Sequence, residues 1–296
     1  MKHIRIISPS GVIDPRFIDD ACSRLRAWGY IVSVGAHARE AFGRFAGRDE
    51  DRLSDIIAAL EDKTVDFILC SRGGYGLQRI IDRIPKIEKP IIGFSDITAL
   101  HQKAATNGCP TLHGIMCKHI ASLPEDSEPI IALRKVLEGK LPEYTIPAHP
   151  LNREGEACGP VIGGNLSVLY GLQGTPYDLR SICDLRFKIS NLKPILLIED
   201  ICERHYHIDR MIRNLKMSGV LSQLGGMIVG QFTECEDDPL MGCTVYETIK
   251  EVVAEYNYPI LFDAPIGHVE CNLPLWLGKS TEMNVRADSF CHLRQL

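Results

Sequence analysis

The stretch Lys89-Pro90-Ile91-Ile92-Gly93-Phe94-Ser95-Asp96-Ile97-Thr98 holds a short apolar run that stops at a serine, where a helical pattern begins at once. This is the layout of a nucleophile elbow. A serine at such a strand-to-helix turn lifts its hydroxyl above the sheet, and the helix N-terminus beneath it offers unpaired N–H groups to a developing oxyanion. Serine is equally a favoured helix N-cap, and the fifth position of the G-x-S-x-G signature is Ile97 rather than glycine. Acyl transfer by Ser95 therefore requires a base and an orienting acid elsewhere in the chain.

Working outward, apolar runs also occupy residues 4–7, 31–34 and 67–70, each bounded by polar, Gly or Pro residues. Between them, Phe17, Ala21, Leu25 and Trp28 mark a helix ended by Gly29, and Leu53, Ile56, Ile57 and Leu60 recur at helical spacing. Short apolar strands alternating with amphipathic helices predict an α/β fold with a mostly parallel N-terminal sheet. A helical pattern over 130–137 gives way to Gly139, Pro142, Pro147 and Pro150. The predicted organisation is an N-terminal α/β domain at 1–140, a linker at 141–158 and a smaller C-terminal α/β domain with a mixed sheet at 159–296. In the second half, strands are expected at 195–198, 227–229 and 283–285, with a helix carrying Ile208, Met211, Ile212 and Leu215.

The chain has 296 residues, of which 45% are hydrophobic, enough to bury a sizeable core. A net charge of -5, with no Lys/Arg block, argues against a nucleic-acid partner and for a small molecule or peptide. No apolar run reaches membrane-spanning length, and turn residues Pro9, Ser10 and Gly11 come too early for a signal peptide, so a cytoplasmic location is expected. Eleven cysteines without a C-x-x-C pair fit reduced thiols, with no disulfides and no zinc.

Among ten histidines, His268 lies in a Pro/Gly loop directly after a short apolar run, and His113 in Leu112-His113-Gly114 is a rival base. Glu199 closes the apolar run 194–198, where burying a carboxylate demands a partner such as a histidine N–H. Asp200 and Glu203 are competing orienting acids. The loop Ser71-Arg72-Gly73-Gly74-Tyr75-Gly76 follows another apolar strand and lacks both the P-loop and the dinucleotide spacing, which leaves it an oxyanion or substrate loop beside Ser95. Cys202, Glu203, His205 and His207 cluster closely but lack the paired spacing of a tetrahedral zinc site.

Seven blocks in order, Ser8-Pro9-Ser10-Gly11, Ala46 through Arg52, Ser71 through Gly76, Gly93-Phe94-Ser95-Asp96, Gly163 through Ser167, Glu199-Asp200 and Gly267-His268, resemble the LD-carboxypeptidases, serine peptidases that include the microcin C immunity peptidases. The resemblance spans nearly the whole chain. It implies a two-domain enzyme with the site in the interdomain cleft, a Ser95-His268-Glu199 triad, no metal and no organic cofactor. The chain departs from the family at His205-Tyr206-His207, where a Pro-Tyr-Arg stretch is usual, so a substrate contact is expected to differ there.

The mechanism so implied has Ser95 attacking an L,D amide while His268 serves as base and then acid, with Glu199 holding the imidazole. Backbone N–H groups of Gly73 and Asp96 would receive the oxyanion, and Arg72 is a candidate contact for a substrate carboxylate. The implied substrate is a muropeptide tetrapeptide that loses its terminal D-alanine in peptidoglycan recycling, and the implied assembly is a homodimer. Two other readings stand beside it: a microcin C-type immunity peptidase acting on aminoacyl or peptidyl nucleotide analogues, and a non-catalytic protein that binds a small ligand. An aromatic platform for a nucleobase would favour the microcin branch, and Trp276 is read as core instead.

Overall fold

The computed structural model describes residues 1–186 and 193–296, and the chain forms two open sheets covered by helices. In chain order the strands are β1 (His3–Ile7), β2 (Ile31–Val34), β3 (Phe67–Cys70), β4 (Ile91–Gly93), β5 (Thr111–His113), β6 (Glu143–Pro147), β7 (Gly155–Asn165), β8 (Ile195–Ile201), β9 (Gly226–Thr233), β10 (Ile260–Leu261), β11 (Leu275–Leu277), β12 (Ser280–Val285) and β13 (Phe290–Gln295). The first sheet has the order β11-β5-β4-β3-β1-β2 and is parallel apart from β11, which runs antiparallel to β5. The second has the order β10-β9-β8-β7-β12-β13-β6, parallel from β10 to β7 and antiparallel from β7 to β6.

Both faces of the first sheet are covered. Ile4, Ile6, Leu69 and Ile92 pack under the helices Pro15–Ala27, Cys117–Ser122 and Glu128–Leu137, while Ile7, Ile68, Cys70 and Ile91 pack under Asp49–Glu61 and Thr98–Thr106. Two-sided burial is why these strands read as unbroken apolar runs, each fully buried Ile or Leu contributing roughly 1.5–3 kcal/mol. One face of the second sheet is covered by helices His205–Met217 and Val245–Val252. The other packs Val161, Ile195 and Leu197 against Leu275 and Leu277 of β11, so this strand of the first sheet also closes the core of the second. Trp276 faces the opposite way into the N-terminal core and is 7% exposed.

The segment 141–158, expected to be a linker, carries β6 and the first residues of β7. Its proline signal misleads because Pro147 ends β6, an edge strand that can forgo a ladder N–H. The second sheet has seven strands and the first six, one of which, β11, comes from the second half of the chain. The glycine-rich stretch 159–165 proves to be strand because the neighbouring chain approaches so closely: a Cβ at Gly163 would stand 2.0 Å from the Leu197 carbonyl oxygen. A Cβ at Gly164 would lie 2.6 Å from Thr98 Oγ1, the atom that accepts the Asn165 N–H at 3.0 Å. The helix behind Ser95 is thereby seated on β7 of the second sheet.

Candidate active site

The loops after β1, β3, β4 and β5 all leave the C-terminal edge of the parallel strands, where ligand sites form in open α/β sheets. Ser95 lies just beyond β4 with φ 68°, a left-handed conformation that costs a non-glycine residue on the order of 1–3 kcal/mol and persists only where surroundings enforce it. A 3₁₀ turn at Ser95–Ile97 leads into the helix Thr98–Thr106. The turn folds back so tightly that a Cβ on Gly93 would meet Ile97 Cγ1 at 2.9 Å. Ile97 itself is fully buried, so the missing glycine of the elbow signature is a core side chain here.

Beneath the serine, the N-terminal sequence blocks converge into one scaffold. A Cβ on Gly73 would stand 2.6 Å from Ser95 Cβ and 2.8 Å from its Oγ, so bare backbone lies against the hydroxyl. The Gly11 N–H donates to the Gly73 carbonyl at 2.9 Å. The buried Asp96 carboxylate turns away from the cleft and accepts from Ser10 Oγ at 2.6 Å and from the Leu77 N–H at 3.0 Å. Burial raises its pKa, with those hydrogen bonds opposing. Ser8 and Ser71 hydroxyls share a 2.6 Å hydrogen bond. Arg52, 1% exposed, donates to the carbonyls of Pro9 at 2.6 Å and Gly76 at 3.1 Å and pairs with Asp49. His101, held neutral with its pKa pushed down to about 3 by burial, donates from Nε2 to the Gly93 carbonyl at 2.9 Å.

Across the cleft, His268 Nδ1 donates to Glu199 Oε2 at 2.7 Å, and Glu199 is fully buried at the end of β8. Gly267 makes room for this pair, since a Cβ there would lie 3.1 Å from Glu199 Oε2 at a φ of 135°. Burial pushes the Glu199 carboxyl up, but the interactions with His113 and His268 outweigh it and hold the carboxyl below its usual range. Burial likewise pulls His268 down, and the hydrogen bond and charge of Glu199, joined by the charge of Asp200, raise it overall.

The rival acids have other partners. Asp200 is buried on Ser167 Oγ at 2.6 Å and Asn165 Nδ2 at 2.9 Å, and burial pushes its pKa up to about 6. Glu203 accepts from Ser167 Oγ at 3.0 Å and His207 Nδ1 at 2.9 Å. The rival base His113 is fully buried in β5 and does not line the cleft. The Cys202, Glu203, His205 and His207 group does not converge: His207 and Glu203 pair with each other, while Cys202 donates to Glu234 and His205 pairs with Thr248.

Ser95 and His268 line one cleft of about 680 Å³, with Gly73, Gly74 and Arg72 beside them. Arg72 donates from Nη1 to the Val12 carbonyl at 2.6 Å and is otherwise exposed. Lys118 and His119, which no motif of the sequence singles out, also line the cleft. Both sit in the first turn of the helix Cys117–Ser122, which follows β5 at the C-terminal edge of the parallel strands. The His119 ring packs at a tilt against Phe94, 5.6 Å between ring centroids, and burial holds its pKa down to about 4.

Residues 4–114 match the LD-carboxypeptidase N-terminal domain and residues 158–283 the LD-carboxypeptidase C-terminal domain. A Bacillus subtilis (strain 168) protein named "Probable murein peptide carboxypeptidase" is 32% identical over 95% of this chain and 88% of its own length. A muramoyltetrapeptide carboxypeptidase from Oxalobacter formigenes shares the fold, with a TM-score of 0.85 and 23% identity over 99% of this chain and 98% of that one. So does MccF in complex with glutamyl sulfamoyl guanosine, with a TM-score of 0.77 and 20% identity over 100% of this chain and 96% of that one.

Proposed function

Because the chain belongs to the LD-carboxypeptidase family, a family of hydrolases, we propose that it removes the terminal D-alanine from a muropeptide tetrapeptide by a Ser95-His268-Glu199 mechanism. The observation that carries the reading is the strained Ser95, backed by bare Gly73 backbone, lining the same cleft as an imidazole hydrogen-bonded to a fully buried carboxylate. Ser95 Oγ attacks the carbonyl of the L,D amide while His268 Nε2 takes its proton. The tetrahedral oxyanion is received by the backbone N–H groups of Gly73 and Asp96, each such donor typically contributing about 3 kcal/mol. Collapse breaks the C–N bond, and the imidazolium passes its proton to the departing D-alanine amine. Water, deprotonated by the same imidazole, then opens the acyl-enzyme and restores Ser95.

Glu199 remains ionised throughout, which fixes the Nδ1–H tautomer and stabilises the imidazolium. Arg72 is the proposed contact for a substrate carboxylate at the rim. The peptide substrate is favoured over a nucleotide analogue by the 32% identical murein peptide carboxypeptidase relative; among the described residues the aromatic rings lining the cleft are Phe17, Phe94 and the two imidazoles. The same reading carries a cytoplasmic homodimer, which light scattering on the purified protein checks.

The deciding experiment is mass spectrometry of products from a muropeptide tetrapeptide with chelator present, run on the parent and on Ser95→Ala. Loss of one D-alanine by the parent alone supports the reading, and equal cleavage by both removes Ser95 from its role. Parallel incubation with a glutamyl sulfamoyl nucleoside tests the microcin-type alternative.

A further inference from the structure

Glu199 presents two oxygens, and the mechanism uses only one. Oε2 faces His268, whereas Oε1 is buried and, among the described residues, has no hydrogen-bond partner. Nε2 of His113 lies 3.9 Å from it, and both side chains are completely buried. Among the described residues neither ring nitrogen of His113 has a hydrogen-bond partner either. Two complementary buried groups, each lacking a partner, thus face each other about 1 Å beyond hydrogen-bond distance. Both lie wholly out of bulk solvent, where a polar interaction is stronger than at a surface.

The two residues come from different sheets: His113 ends β5 of the first, and Glu199 lies in β8 of the second. His113 is held beside the elbow, because it pairs in register with Gly93 and its ring lies 5.7 Å from Phe94. Phe94 in turn carries His268 at 4.9 Å between centroids. We propose that His113 is a positioning residue whose Nε2–H holds Glu199 Oε1, so that the orienting carboxylate of the second sheet is clamped between an imidazole of the first sheet and His268. The proposal rests on the triad reading above. His113 touches no substrate, being fully buried, and so acts only through Glu199. The other titratable groups close to this cluster are His101, with its ring centroid 6.5 Å from that of His113, Asp200 next to Glu199, and His119 on the far side of Phe94.

The test compares His113→Gln with His113→Asn in the full chain acting on a muropeptide tetrapeptide. A glutamine amide reaches the position of Nε2 and keeps a donor there, whereas the shorter asparagine does not. His113→Asn is expected to lower kcat about tenfold or more while KM stays within about twofold, and His113→Gln to recover most of the loss. In a Glu199→Gln background the asparagine change should cost less than about twofold further, since the group it acts through is already altered. Equal impairment of both amides, or an undiminished penalty in the Glu199→Gln background, overturns the proposal. If Glu199→Gln alone leaves kcat unchanged, the triad reading itself fails, an outcome separate from a neutral His113→Asn beside an impaired Glu199→Gln. Should the asparagine variant not fold, ¹⁵N-histidine spectra of the parent protein decide, with His113 assigned by its absence in His113→Gln. The Nε2-protonated tautomer sustains the clamp, and the Nδ1-protonated tautomer overturns it.

Discussion

Glu199 and His268 stand 69 residues apart in the chain, yet a 2.7 Å hydrogen bond joins Oε2 to Nδ1 with the carboxylate wholly out of solvent. A charge buried so completely is tolerated only where it is paired, and the pairing raises the imidazole above its usual 6.5. As the proposed base, His268 must be neutral, so activity should fall as pH drops through a value above 6.5.

Glu199→Gln removes the charge that raises His268 and leaves burial, which lowers it, in control. The acid limb of kcat/KM against pH should therefore move to lower pH, while kcat drops by about 10³-fold or more. A limb that stays in place would show that Glu199 does not set the imidazole.

Gly73→Ala places a Cβ 2.6 Å from that of Ser95. The strand-end loop or the serine must shift, and the proposed oxyanion donor shifts with it. We expect kcat to fall about 100-fold or more, with little change in the far-UV circular dichroism spectrum. Steady-state kinetics on the folded variant checks this.

Asp96→Ala strips the acceptor from the Ser10 hydroxyl and the Leu77 N–H, both in the scaffold beneath the elbow. Leaving two buried donors unpaired should cost about 1–3 kcal/mol each. A lowered Tm accompanied by a fall in kcat is the expected result, and an unchanged Tm would deny the carboxylate its anchoring part.

Arg72→Ala tests the rim. If the guanidinium binds a substrate carboxylate equally in ground and transition states, KM should rise about tenfold with kcat near its parent value. Loss confined to kcat would instead point to the loop geometry, since Arg72 also donates to the Val12 carbonyl.

Much of the first half was legible in sequence, because strands buried on both faces must be apolar throughout and their amphipathic cover helices announce themselves by period. Ser95 was visible for the same reason, as a polar residue where an apolar run meets a helical pattern, and the glycines at 73 and 93 mark contacts too close for any side chain. Strands of two or three residues, such as β10, β11 and β5, are too short to carry a period, and β7 is built on glycines whose purpose is another strand's backbone. Residues 275–277 sit late in the chain yet pair with β5 of the first sheet, a choice made by register and core packing. Local pattern thus determined which residues are candidates for the chemistry and which elements hold most of them. Only the tertiary structure decided that Glu199, rather than Glu203 or Asp200, meets His268, and that His113 lies behind that carboxylate. Those pairings depend on where two sheets dock, and docking is settled by burial summed over both cores, which no stretch of neighbouring residues encodes by itself.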